Sequence, residues 1–417
     1  MAFDWASGFE LNSLSIEIGA VSGSPTVQTT VKRSGTYAMK TSSLSSGAAQ
    51  GVRAGITTGA GPFFFQICLC LETTPGVNNR IIIWNDNDAF TTPLFWLTLK
   101  TDRTLQFSDE DGDIGSPSSA LTADGATWYY IEVKYDITGG AGAGVLEAKL
   151  NGTSFASSTT RSISANVGFW GWGGNLALEA TTTGVWYWDD LVFNTSTGSF
   201  MNTYQGGVKV IHQKPDGDGD SNAWTGTWAD IDEVTPDDAT TMMVEGPAAD
   251  TFDVTLEATP AELGSGDTIK GVFVGHRGAL SSAAGSDPRF VLRLKAAPGG
   301  TTDECGVQTP NTATWYTNAP ASKSYITGNG ATLALGNSSN YEQPGGSSAW
   351  TKSALDTAQI GARITVTDTD NMQISTMWLL VVFLVAAPGG RTTKNTDSDH
   401  LGIAAGVSRR IHNPPVG

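Results

Sequence analysis

The sequence predicts an all-β protein made of antiparallel β-sandwiches in tandem, on three observations. Its apolar segments are short and rich in Val, Ile, Thr and aromatic residues, and clusters of Gly, Ser, Asn and Asp separate them. Runs with helical periodicity are nearly absent. Apolar residues are only 39% of the 417, yet 13 Trp, 16 Phe and 9 Tyr provide large units to bury between sheets. At about 150 residues per domain, this length predicts two or three domains.

The first block opens its clear strands at Phe63–Leu71, followed by Arg80–Trp84, Phe95–Leu99 and Thr104–Phe107. In Trp128–Tyr135, Tyr129, Ile131, Val133 and Tyr135 share one face, while Tyr130, Glu132 and Lys134 share the other. Val145–Leu150 ends at Asn151-Gly152, a two-residue hairpin signal, and Val185–Phe193 closes the block. Residues 197–207, polar and glycine-bearing, are expected to be a linker. A second β domain over 208–387 begins at Val208–Ile211 and continues through Thr251–Leu256, Ile269–Val274, Phe290–Leu294, Ala362–Val366 and Met377–Val385. The long polar stretch between Pro298 and Ala349 should hold short strands or a functional excursion, since a structureless loop of that length is improbable in a compact domain. Residues 388–417 form a C-terminal arm in which Arg391, Lys394, Arg409 and Arg410 outnumber Asp397 and Asp399.

Charge narrows the partners. The net charge of −17 gives a field that repels phosphate backbones, so nucleic acid is not an expected partner. The longest apolar run, Met377–Ala387, is about half the roughly 20 residues of a membrane helix and reads as buried strand, so no membrane insertion is expected. The opening Met1-Ala-Phe-Asp-Trp-Ala has neither a basic nor an apolar leader region. Three cysteines make no disulfide framework, and Cys68 and Cys70 lie on one face of one strand. Folding in a reducing cytoplasm is the expectation.

The first block, residues 1–196, resembles the concanavalin A-like, LamG-type jelly roll. The resemblance is carried by Phe9-Glu10, Arg33-Ser-Gly-Thr-Tyr-Ala-Met-Lys40, Trp128–Glu132, Leu150-Asn-Gly-Thr153 and Trp188-Asp-Asp-Leu-Val-Phe-Asn194. The second block resembles a domain that follows such jelly rolls in virion proteins of tailed bacteriophages, through Trp228–Glu233, Pro236–Thr240, and Ser348–Thr351 leading into Ile360-Gly361. The resemblance implies a structural role on a phage particle, head or tail, with other virion proteins as partners.

Three candidate sites follow from the residues. Trp170 and Trp172 lie on one side of Phe169–Asn175. With Asn175 they could stack and hydrogen-bond a sugar, and the glycine flanks single out Trp172 as exposed. The opposing reading makes them, like Trp186 and Trp188, core anchors between two sheets. Asp216, Asp218 and Asp220 alternate with glycine in what reads as a flexible turn, a donor set suited to Ca2+, although Thr227 stands where an EF-hand needs Glu. A solvated acidic turn is the alternative. Arg391, Arg409 and Arg410 could dock the basic arm on an acidic neighbour in a homo-oligomer, or the arm could simply fray.

Catalysis is not expected. Glucanases of this fold carry three carboxylates in close spacing on one strand, whereas Glu132–Asp136 offers two with a lysine between them. The four histidines are scattered singly. These readings add up to a non-enzymatic virion surface protein with a lectin-like jelly roll for host glycans. The alternatives are a purely architectural capsid decoration or tail component, and a glycan-cleaving enzyme.

Overall fold

The expected strands are realised as four antiparallel sheets in a computed structural model of the protein. The structure describes residues 3–18, 20–44, 50–55, 61–86, 93–174, 176, 182–196, 201–245, 250–281, 289–305, 316–317, 341–345, 348–366 and 371–386. In chain order the first strands are β1 (Phe3–Ser7), β2 (Ala20–Ser22), β3 (Thr26–Gln28), β4 (Ala38–Leu44), β5 (Gln50–Gly55), β6 (Phe63–Leu71), β7 (Asn79–Asn85) and β8 (Phe95–Leu99). Next come β9 (Leu105–Asp109), β10 (Gly112–Ile114), β11 (Trp128–Asp136), β12 (Gly144–Leu150), β13 (Thr153–Arg161), β14 (Phe169–Gly174) and β15 (Thr182–Thr195). The later strands are β16 (Lys209–Gln213), β17 (Pro215–Asn222), β18 (Met243–Val244), β19 (Thr251–Leu256), β20 (Thr268–Leu280), β21 (Arg289–Lys295), β22 (Thr302–Glu304), β23 (Tyr316–Thr317), β24 (Gln359–Val366) and β25 (Met372–Leu384).

Residues of the first block build two sheets. One runs β13-β12-β11-β6-β15-β4-β3, with β1 also paired to β15; the other runs β10-β9-β8-β7-β14-β5-β2. Their inner faces meet through aromatic rings. Phe65 of β6 meets Trp84 of β7 and Trp170 of β14 edge-on at 5.4 and 4.7 Å, and Trp170 lies 6.0 Å from Phe193 of β15. Ile131, Val133 and Tyr135 of β11 are buried, as their shared parity predicts. This is the expected sandwich, and edge-to-face packing adds to area burial in holding it.

The second block builds a sheet β16-β25-β20-β23, with β18 on β25, and a sheet β17-β19-β24-β21-β22. His276 of β20 packs edge-on against Phe290 of β21 at 5.4 Å across this pair. The long apolar run proves to be one strand, β25, which lies between β16 and β20 and is buried over almost its whole length. The polar stretch after Pro298 contributes the short strands β22 and β23. Cys68, Cys70 and Cys305 are buried free thiols.

Two segments differ from expectation. The segment read as a linker is laid, over residues 201–207, on the outer face of the first sheet. Gly206 N–H donates to Glu132 and Gly207 N–H to Gln66, both at 2.9 Å, and Tyr204 hydroxyl donates to Glu147 at 2.9 Å. Glu132, exposed by parity alone, is thereby buried. The acidic turn expected at 216–220 is a strand, β17. Residues Met1–Val385 form one compact unit and Ala386–Gly417 another. Of the second unit only Ala386 is described, so the C-terminal arm lies outside the described residues. Among the described residues, no helix is long and apolar enough to cross a membrane.

Candidate functional site

The predicted aromatic platform is core. Trp170 and Trp172 are both 0% exposed, their rings stacked at 4.7 Å. Cross-strand register explains the correction. Trp170 pairs with Trp84 and Trp172 with Ile82, on the inward parity of β7, while Gly171 and Gly173 take the opposite face. The flanking glycines therefore do not expose Trp172. Trp186 and Trp188 are buried likewise, donating to the Gly173 carbonyl and the Thr41 hydroxyl at 2.8 and 3.2 Å. Asn175 lies outside the described residues, as do Arg391, Arg409 and Arg410.

The calcium candidate loses its turn. In β17, burial alternates so that Asp216, Asp218 and Asp220 point outward in a row, two residues apart. The pairing of β17 with β19 shifts register between Pro215 and Gly217 and again between Asp218 and Asn222, and the three carboxylates are turned to different partners. The glycines serve packing: a Cβ on Gly219 would stand 2.7 Å from the Asp253 backbone of β19. Asp220 is committed to Lys295 Nζ and Gly299 N–H, at 2.8 and 2.7 Å, and these bonds hold its carboxyl below the usual range. Asp216 accepts from Thr255 at 2.8 Å. Among the described residues no group of three or more His, Cys, Asp or Glu could hold a metal ion.

Carboxylates do gather elsewhere, where the two sandwiches meet. Five consecutive N–H groups of the turn Arg33-Ser-Gly-Thr-Tyr37 each donate to a carboxylate. Arg33 and Ser34 donate to Asp189 at 2.8 and 3.2 Å, Gly35 to Glu262 at 2.6 Å, and Thr36 and Tyr37 to Glu10 at 2.9 and 3.3 Å. Gly35 has φ +59, and a Cβ there would overlap the Glu10 carboxylate, so a larger residue would be strained and would displace that carboxylate. Arg33 clamps Asp190 at 2.5 Å and donates to the carbonyls of Gly207 and Val208, while Asp190 also accepts from Val210 N–H at 2.7 Å. A bulge in β15, with Asp190 at φ +51, brings both aspartates to the same turn. Burial pushes Glu10 and Asp189 upward, against the pull of their N–H donors. These acids are engaged in fastening backbone. The Arg33–Lys40 and Trp188–Asn194 motifs are thus parts of one clasp, which sequence reading quoted without joining.

An open polar groove of about 350 Å3 lies on the other face of the β10-β9-β8-β7 sheet, opposite the core. It is lined by Asn78, Arg80, Trp96, Thr98, Lys100, Gln106, Ser108, Gly112 and Asp113. Register builds it. On β8, Phe95, Leu97 and Leu99 face the core, so Trp96 and Thr98 face out. Trp96 sits opposite Ser108 of β9, which sits opposite Asp113 of β10; Thr98 sits opposite Arg80 and Gln106. The Arg80 guanidinium lies over the Trp96 ring at 4.2 Å, a contact that fixes both planes. Ser108 hydroxyl donates to Asp113 at 2.7 Å, and Gln106 amide donates to the Phe107 carbonyl at 2.9 Å. The groove thus offers a half-buried indole, a guanidinium, an ammonium, an amide, hydroxyls and one carboxylate. Sequence reading missed it, although the alternation in Phe95–Leu99 already marks Trp96 as outward.

Neither a protein family nor a curated protein matches the chain. Among solved structures it is similar to the cellulose-induced protein Cip1, at 14% identity and TM-score 0.31 over 45% of this chain and 95% of that one. It is also similar to an alginate lyase Aly36B mutant in complex with alginate tetrasaccharide, at 12% identity and TM-score 0.26 over 38% and 80%. A third is the Trypanosoma rangeli sialidase, at 10% and 0.31 over 43% of this chain and 29% of that one. At such scores these likenesses carry no argument about the site, and the fold rests on the sheets themselves.

Proposed function

We propose that this is a non-enzymatic, carbohydrate-binding β-sandwich protein, that the groove around Trp96 is its saccharide site, and that it serves as a structural component on the surface of a tailed-phage particle. One observation carries the binding reading. An outward tryptophan with its plane fixed by Arg80 stands among Thr98, Gln106, Ser108 and Asp113, the mixture of flat apolar surface and directional polar groups that a sugar ring needs. Among the described residues that line it, the groove has a single carboxylate, Asp113, where glycoside hydrolysis ordinarily requires a pair, which favours binding over cleavage. The particle reading is supported by the jelly-roll and second-domain motifs alone. Host-surface glycans are the ligands it implies.

A glycan array probed with the intact protein and with Trp96→Ala tests the binding reading. Saccharide binding that the variant loses, with the melting temperature kept, is the expected result. Binding by neither protein, or equal binding by both, removes the groove. Imaging of assembled particles tests the location directly.

A further inference from the structure

We infer that the two sandwiches have no hinge between them: the clasp locks them into one body that opens only as a whole. Neighbouring domains of one chain ordinarily move against each other unless the contact between them is large and apolar. Here the buried apolar residues of both sandwiches belong to one contiguous core. Their backbones also approach closely. A Cβ on Gly8, just after β1, would stand 2.5 Å from the Val210 carbonyl of β16, which leaves no room for either to tilt inward.

A hinge also needs a connection that is free to turn, and residues 201–208 are held on every side. The Asn194 amide donates to the carbonyls of Met201 and Thr203, the latter at 3.1 Å. Gln66 accepts from the N–H groups of Gly207 and Val208 at 2.9 and 3.2 Å, and donates to the Val208 carbonyl at 3.2 Å. The Arg33 guanidinium holds the Gly207 and Val208 carbonyls at 2.7 and 2.8 Å. Tyr204 packs edge-on against Phe64 at 5.1 Å, with the Lys149 ammonium over its ring at 3.5 Å. Past this connection the same turn reaches the second sandwich. Ser34 hydroxyl donates to Asp190 and to the Val210 carbonyl, and Gly35 N–H donates to Glu262, which lies 3.6 Å from Lys209. A rotation of a few degrees would break these bonds without admitting water in their place, and buried polar groups left without partners are costly. Only a separation wide enough to hydrate the whole clasp releases it. The lock fixes the direction in which the groove around Trp96 faces relative to the second sandwich.

Native-state hydrogen exchange of the intact protein in increasing urea, read by mass spectrometry, is the test. Peptides covering residues 33–37 and 206–211 should be protected to within about tenfold of those covering β6 and β25, the central strands of the two sandwiches. All four should share one dependence on urea, because one opening exposes them all. Exchange of the clasp peptides through a smaller opening, with weak dependence on urea, marks a hinge and overturns the inference. Earlier exchange of one sandwich core than of the other overturns it as well. Calorimetry gives the second readout. The parent and Trp96→Ala should each melt in a single transition, and Arg33→Gln should resolve it into two. Two transitions in the parent, or a single one in Arg33→Gln, would show that the clasp does not couple the sandwiches. If Arg33→Gln does not fold, the exchange of the parent decides by itself.

Discussion

Strands β14 and β8 both carry tryptophan, and they use it in opposite ways. In Phe169-Trp-Gly-Trp-Gly-Gly174 the small neighbours invite an exposed reading, yet Trp170 and Trp172 are fully buried. In Phe95-Trp-Leu-Thr-Leu99 the neighbours are bulky, yet Trp96 faces outward. Phase decides, not the size of the flanking residues: Trp172 lies opposite Ile82 on the core side of β7, whereas Trp96 lies opposite Ser108. The sharpest way to break this contrast is to delete each ring. Trp172→Ala should cost about 3–5 kcal/mol, the usual price of a large cavity in a packed core. Trp96→Ala should cost under about 1 kcal/mol and act on binding instead. Urea unfolding of both variants measures the difference, and equal losses would show that β8 has been assigned the wrong outward face.

The same contrast holds for cations. Arg33 is closed in by Asp190, whose carboxylate is fully buried, while Lys100 borders an open groove. Removing one partner of a buried pair leaves the other charge uncompensated, at about 3–5 kcal/mol. Arg33→Ala should therefore approach Trp172→Ala in severity and loosen the attachment of residues 207–208 as well. Lys100→Gln should leave the unfolding midpoint nearly where it was. Limited proteolysis between Thr195 and Val208 gives a second readout, faster for Arg33→Ala and unchanged for Lys100→Gln.

How far the sequence could be read follows from where each signal is stored. Strand positions such as Phe63–Leu71 and Thr251–Leu256 were legible because a period of two is written locally, and the structure returns the same spans. The phase of a strand relative to its neighbours is not local. Phe169–Gly174 shows that two tryptophans share a face but not which face, because Trp84 and Ile82 that settle it are some 90 residues earlier. Asp216–Asp220 failed for a related reason. Alternating Gly and Asp reads as a turn by composition, and only the close approach of Asp253 at Gly219 shows why a strand needs glycine there. The groove was half legible: parity places Trp96 and Thr98 outward, but Ser108, Asp113 and Arg80 come from three other strands.

Acid tests the buried carboxyls of and around the clasp. Burial pushes Glu17 up from 4.5 to about 7, against bonds from the Ser7 hydroxyl and the N–H groups of Leu11 and Phe9; Glu10 and Asp189 are raised in the same direction. Between about 4.5 and 7 the folded chain therefore binds more protons at Glu17 than the unfolded chain does. This contribution to stability is full below 4.5 and is lost as pH rises through 7. His212 and His276 act oppositely. Burial holds both down to about 3, so their contribution is present above 6.5 and is lost as pH falls toward 3. Glu17→Gln removes the first slope and keeps the second, so its stability should rise more steeply with pH between 4.5 and 6.5 than that of the parent. Parallel pH profiles of the two proteins would place the Glu17 carboxyl in water rather than in the core.

The smallest effect is expected at β17, whose outward carboxylates contrast with the mixed polar lining of the groove. A cation bound there only in the folded state would raise stability by RT ln(1 + [L]/Kd), about 2.7 kcal/mol at a hundredfold excess over Kd, which is several degrees in melting temperature. Among the described residues the outward carboxylates give no such ligand set: Asp220 is paired to Lys295, Asp216 accepts from Thr255, and Asp218 accepts from Asn222 at 3.4 Å. EDTA and added Ca2+ should both leave the melting temperature unchanged. Asp218→Asn should stay within about 0.5 kcal/mol of the parent, as ordinary surface substitutions do. A rise in melting temperature with Ca2+ that Asp218→Asn abolishes would mean that β17 rearranges around the ion, because Asp216 and Asp220 as they stand are turned to Thr255 and Lys295.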